Sequence, residues 1–116
     1  MNYTFLYGSL GHIPEFTMTS KKAPRVRFSL AVRKRRGGTD VWWIQCEAYG
    51  KLANIIRDNY GKGDFILIKD GELQTLKNSM GRTYWVVRVR LIEYISRKLQ
   101  NPDMEKDYDG EELYQQ

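Results

Sequence analysis

Between residues 24 and 36 apolar and polar side chains alternate with a period of two. Val26, Phe28, Leu30 and Val32 fall on one side, and Arg25, Arg27, Ser29 and Arg33 on the other. An α-helix repeats every ~3.6 residues and cannot sort such a pattern onto two faces, whereas a half-buried strand does. The alternation recurs over 41–49 and 82–95. In the last segment Trp85, Val87, Val89 and Leu91 are expected to face inward and Tyr84, Arg88 and Arg90 outward. A chain patterned this way is committed to sheet with one dry and one wet face.

The segments between complete the layout. Residues 2–10 read as a first strand, followed by a loop from Gly11 that contains Pro14, Phe16 and Met18. Gly37-Gly38-Thr39-Asp40 supplies a hairpin turn between the second and third strands. Gly50 ends the alternation, and residues 51–60 carry the spacing of a short helix, with Leu52, Ile55 and Ile56 on one side. Gly61 to Asp64 closes it. A fourth strand runs from Phe65 to Lys77, with Gly71 marking a bulge or bend. Asn78 to Gly81 turns the chain into the fifth strand. Five strands with one helix between the third and fourth is the order of an OB-fold, a Greek-key barrel, so the expectation is an all-β domain over 1–97. From Ser96 the pattern ends, and 98–116 is expected to be a flexible acidic tail.

Charge is distributed along the same boundary. Residues 1–100 hold 18 Lys and Arg against 8 Asp and Glu, while 101–116 hold six acids against Lys106 alone. A basic body attracts polyanions, and an acidic tail competes with them for the same surface. The third strand shows what kind of polyanion. In VWWIQCEAY, Trp43, Gln45, Glu47 and Tyr49 share one face, and Trp42, Ile44, Cys46 and Ala48 the other. The second set is a core face. The first places two large rings on a polar surface beside Arg33, Lys34, Arg35 and Arg36, and flat rings next to cations are what stacks unpaired bases while holding their phosphates. Single-stranded nucleic acid is therefore the expected ligand. A pair of half-buried strand aromatics is the plainer alternative.

At this point the residues resemble a known family. MNYTFLYGSLG with Pro14-Glu15, FSLAVRKR at 28–35, WIQCEAYGKLAN at 43–54, NYGKGDFILIKDGELQT at 59–75 and GRTYWVVRV at 81–89 are similar, in order and spacing, to the bacterial single-stranded-DNA-binding protein family over residues 1–95. The resemblance implies an OB-fold, sequence-tolerant binding of single-stranded DNA, and a homo-oligomer, with a tetramer favoured and a dimer as the other option. It also puts Trp43 and Tyr49 where the family places base-stacking aromatics. Two positions depart from it. Arg35-Arg36 and Asn78 stand where the family can carry further stacking rings, which implies fewer platforms and more electrostatic binding here. The tail departs as well. It is acidic, but it ends EELYQQ where the family commonly closes with Pro-Phe to recruit replication and repair proteins. A phage, plasmid or other mobile-element member fits that pattern.

The expected single-stranded-DNA site is thus Trp43 and Tyr49 for bases, with Arg27, Arg33, Arg35, Arg36, Lys77, Arg82, Tyr84 and Arg88 along the phosphates. Arg25 and Arg90 lie on the same outward faces, and the outward set of the fifth strand, Tyr84, Arg88 and Arg90, is expected either to line the groove or to lie at a subunit interface. Trp42 and Trp85 fall on core faces by alternation and are expected to pack inside. Cys46 is expected as a buried free thiol. A lone loop histidine, His12, makes neither a metal site nor a catalytic pair. No Walker loop, CxxC, HExxH or GxSxG is present, so no enzyme activity, cofactor or metal is expected. No stretch reaches the ~18 apolar residues of a membrane span, and one cysteine suits a reducing cytoplasm. Two other readings stay open: a primosomal or protein-interaction OB-fold whose aromatic and basic face docks a partner, and an RNA-binding OB-fold.

Overall fold

The computed structural model describes residues 1–93; the expected acidic tail at 98–116 lies outside the described residues. Six strand segments and one helix follow in the order β1 (Thr4–Leu10), β2 (Glu15–Met18), β3 (Pro24–Arg33), β4 (Val41–Tyr49), α1 (Gly50–Asn59), β5 (Phe65–Lys77) and β6 (Thr83–Glu93). The strands form one sheet, ordered β1-β5-β6-β4-β3-β2, and an added β1–β3 pairing closes it into a barrel. β1 and β2 lie on the same side of β3, pairing Ser9 with Ala31 and Glu15 with Arg27 respectively, so they act as one barrel strand broken at residues 11–14. The fold is therefore the expected five-stranded OB-fold barrel with one short helix. β2 itself was not legible, because four residues with Phe16 as their only half-buried apolar side chain show no alternation.

The apolar side of β3 became the core as its period predicts. Val26, Phe28 and Leu30 are fully buried with Cys46 and Ala48 of β4, Ile66 and Ile68 of β5, and Val87 and Val89 of β6. Each large side chain among them contributes roughly 1.5–3 kcal/mol by leaving water. Gly8 permits the closure of the barrel, since a Cβ there would lie 2.3 Å from the Ala31 carbonyl oxygen. Tyr49 ends β4 in an extended conformation and Gly50, at φ 65°, turns the chain into α1. That positive φ is a conformation only glycine adopts without strain. The helix buries Ala53 and Ile56 against the barrel, with Tyr60 just beyond it. Ile55, expected on that side, is exposed instead. Arg57 in the last turn suits the negative end of the helix dipole.

Both long hairpins leave the barrel at one end. β4 and β6 run parallel, with Cys46 opposite Val87 and Glu47 opposite Arg88. Their N-terminal ends therefore point the same way, and so do the turns that precede them. The β3–β4 turn is closed by Lys34 N–H donating to Asp40 O at 3.0 Å and Gly38 N–H to Arg35 O at 3.2 Å. Residues 34–36 consequently lie in the turn and not in the strand. The β5–β6 turn is held by Asn78, whose Oδ1 accepts from the amides of Met80 and Arg82. The expected irregularity near Gly71 is present as two register shifts around Asp70.

Three inward assignments are overturned. Trp42 is 56% exposed, Trp85 63% and Leu91 52%. Trp42 and Trp85 do lie on the core side of their strands, but on the parts that project past the barrel, where no opposing layer covers that side. Leu91 lies opposite Asp70 at the register shift, which moves it out of the inward set.

Candidate nucleic-acid interface

The outer face of the barrel is built from three neighbouring strands. β3 contributes Arg25, Arg27 and Ser29, opposite Tyr49, Glu47 and Gln45 of β4, and Arg88 of β6 lies beside Glu47. Period two selects these residues and the pairing register lines them up. The centre of the face is Glu47, only 2% exposed despite belonging to the outward set. A buried carboxylate needs partners, and Glu47 has two. Arg27 Nε donates to Oε2 at 3.4 Å, and the Tyr49 hydroxyl donates to Oε1 at 3.2 Å. The Arg88 guanidinium then sits 4.4 Å from the centre of the Tyr49 ring. Four residues thus form one assembly in which a single acid fixes a ring and a cation, and a second cation covers one side of the ring.

Trp43 stands further along β4, 59% exposed, opposite Ala31. Its ring rests on the backbone of Gly11, where an added Cβ would meet Trp43 Cζ3 at 2.5 Å. Ser29 helps to hold that loop. Its amide donates to His12 Nε2 at 3.3 Å, its carbonyl accepts from the Gly11 amide at 2.9 Å, and its hydroxyl accepts from Gln45 Nε2 at 2.9 Å. His12 therefore has a structural task. A recess of about 290 Å³ opens between the two ring positions, lined by Arg27, Gln45, Glu47, Tyr84 and Val86.

The structure brings Trp43, Tyr49, Arg27, Tyr84 and Arg88 to this face. It does not bring the remaining expected cations with them. Arg33 and Arg36 line a larger recess, about 680 Å³, between the β3–β4 arm and the Tyr7–Ser9 stretch of β1. Arg35 is in the arm's turn, and Lys77 and Arg82 flank the turn of the other arm. Among the described residues none of these five forms an ion pair, so their charge is available to a polyanion. Arg90, on the outward side of β6, is not. It donates to Asp70 at 2.7 Å and Glu72 at 3.3 Å, and Asp70 holds its guanidinium charge more firmly than usual. Sequence reading missed Glu47 as the organiser, because alternation assigns a face but not depth. It missed Lys34 as a partner for Trp42, with Nζ 4.5 Å from the ring centre. No group of three or more metal-ligating side chains is present among the described residues.

Solved structures with the same architecture include a deletion mutant of the single-stranded DNA binding protein from Thermus aquaticus. It matches with a TM-score of 0.69 and 24% identity over 82% of this chain and 41% of its own length. The SSB domain of a Synechococcus sp. protein matches with a TM-score of 0.66 and 15% identity, over 81% of this chain and 96% of that domain. The chain thus spans less than half of the first of these proteins. At such identities the likeness establishes the fold. No curated protein sequence matches the chain. The single-strand binding protein family model matches residues 1–95, which include every strand among the described residues, both arms and the whole outer face, and the chain belongs to that family.

Proposed function

We propose that this protein coats and protects single-stranded DNA as a homo-oligomer during replication, recombination or repair, with bases stacked on Trp43 and Tyr49. Family membership makes single-stranded DNA the ligand and leaves no reaction to assign. The observation that carries the rest is the outer face, where β4 presents the exposed Trp43 ring and the half-buried Tyr49 ring under Arg88, while the two arms beyond it carry cations free of ion pairs among the described residues. Stacking tolerates any base because each has a π-face, and cations along the path hold phosphates. Arg27, Arg33, Arg35, Arg36, Lys77, Arg82, Tyr84 and Arg88 complete the proposed path.

Oligomer formation is supported by a second surface. Tyr3, Phe5 of β1 and Leu91 of β6 are exposed, and residues 4–8 of β1 have a strand partner among the described residues on the β5 side only. Open edges and apolar patches of this kind are where copies of a chain pair. A tetramer is the preferred state. A cytoplasmic setting suits the free Cys46 thiol. No helix among the described residues is long and apolar enough to cross a membrane.

The test is intrinsic fluorescence during titration with oligo-dT and with duplex of equal length, at low and moderate salt. All three tryptophans are exposed, so each can report. Strong quenching by oligo-dT and none by duplex is expected. Equal binding of both without quenching would reduce the face to a general polyanion surface.

A further inference from the structure

β4 and β6 pair only at Cys46–Val87 and Glu47–Arg88. Toward the arms, residues 41–45 and 83–86 have no strand partner among the described residues on the sides that face each other, so the two hairpins part in a V. Its apex opens onto the recess lined by Gln45, Cys46, Tyr84 and Val86. Each wall carries two consecutive aromatics, Trp42-Trp43 on one and Tyr84-Trp85 on the other, and the register continued from Cys46–Val87 sets Trp43 level with Tyr84. Alternation sends Trp43 and Tyr84 to the outer face and Trp42 and Trp85 to the core side. On that side both tryptophans are more than half exposed, and Leu73, opposite Val87, is partly exposed as well.

We infer that the V-shaped cleft between the two arms threads single-stranded DNA from the outer face to the inner one, where Trp42 and Trp85 are additional stacking platforms. This extends the proposed function and rests on it. Charge selects the occupant. The arms carry Arg33, Lys34, Arg35 and Arg36 on one side and Lys77 and Arg82 on the other, with Asp40 as the acid between them. Lys34 already covers the Trp42 ring at 4.5 Å, the pairing of cation and ring that holds a stacked base and its phosphate together. A second copy of the chain entering the same cleft would bring like charge against like charge. Continuity points the same way. Trp42 and Trp43 are neighbours on opposite faces of one strand, and that strand's edge toward β6 is free, so a strand stacked on Trp43 reaches Trp42 by passing that edge.

The experiment uses the full chain with oligo-dT of about 6 and about 30 nucleotides, bracketing the ~4–16 nucleotides one OB-fold covers. The double variant Trp42→Leu/Trp85→Leu keeps both sites apolar and exposed. It is expected to bind the short oligonucleotide as wild type does and the long one at least about tenfold more weakly. Trp43→Ala is expected to weaken both. Proteins retaining Trp42 alone or Trp85 alone, with Phe at the other two positions, should be quenched by the long oligonucleotide and little by the short one. Wild-type affinity of the double variant for the long oligonucleotide, with unquenched single-tryptophan proteins, overturns the inference. So does a change in its sedimentation state without loss of DNA affinity, which would assign the cleft to a second copy. Failure of the underlying reading looks different, because then wild type itself retains neither oligonucleotide.

Discussion

The Tyr49 hydroxyl donates to Glu47 Oε1 at 3.2 Å while Arg27 Nε donates to Oε2 of the same carboxylate at 3.4 Å. One buried acid therefore sets the ring and partly neutralises the cation beside it. This divides the basic residues of the proposed phosphate path, on the outer face and on the arms, into those that can answer a phosphate with full charge and those that cannot.

Salt dependence measures that division. Each phosphate neutralised on a single strand contributes about −0.7 to the slope of log K against log salt. Arg35→Ala and Arg36→Ala are each expected to reduce the slope by about that amount. Arg27→Ala should reduce it by less, because Glu47 already occupies Arg27. Glu47→Gln keeps an acceptor for Tyr49 but releases the Arg27 charge, so its slope should steepen and low-salt binding tighten several-fold. Equal slopes for Arg27→Ala and Arg35→Ala would contradict the assignment.

Stacking is the complementary contribution. Trp43→Ala is expected to weaken oligo-dT binding by roughly 1–3 kcal/mol with little change in slope. Tyr49→Ala should cost a similar amount, whereas Tyr49→Phe keeps the ring and loses only its tie to Glu47, for about 1 kcal/mol or less. Isothermal titration at fixed salt separates the two. A Tyr49→Phe loss as large as that of Tyr49→Ala would mean that the hydroxyl and not the ring meets the ligand.

Gly11 tests how Trp43 is held. An alanine Cβ would meet the Trp43 ring at 2.5 Å, and the exposed ring is the part free to give way. Gly11→Ala should fold with near-normal stability, shift the tryptophan emission and weaken oligo-dT binding several-fold. Gly8→Ala meets backbone at 2.3 Å and should instead lower stability by about 1–3 kcal/mol or more. Circular dichroism melts and emission spectra distinguish them, and an unshifted Gly11→Ala spectrum would sink the first expectation.

Cys46 predicts an alkaline response. Burial pushes its thiol from 9.0 up to about 12. Folding keeps the proton on while the unfolded chain releases it near pH 9, so the unfolded state gains and stability falls as pH rises between about 9 and 12. The limiting slope is about 1.4 kcal/mol per pH unit. Denaturant midpoints from pH 8 to 11 should fall more steeply for wild type than for Cys46→Ala. Parallel curves would contradict the burial argument.

By itself the sequence determined the five long strand segments to within a few residues, the helix and the core face of β3, because period-two burial is a local property that each residue shares with its neighbours; the short β2 carries no such period. It also identified the rings Trp43 and Tyr49, since an aromatic on a polar face is visible without coordinates. Depth was decided only in three dimensions. Glu47 is outward by alternation and buried by its partners on β3 and β4, whereas Trp42 and Trp85 are inward by alternation and exposed because their strands outrun the barrel. Which cations share a surface was also a tertiary outcome. Strand register sets Arg27 against Glu47 and Arg88 over Tyr49, while Arg33 and Arg36 line a separate recess beside β1. Alternation says which side of a strand a residue takes, but what lies against that side depends on where every other strand ends.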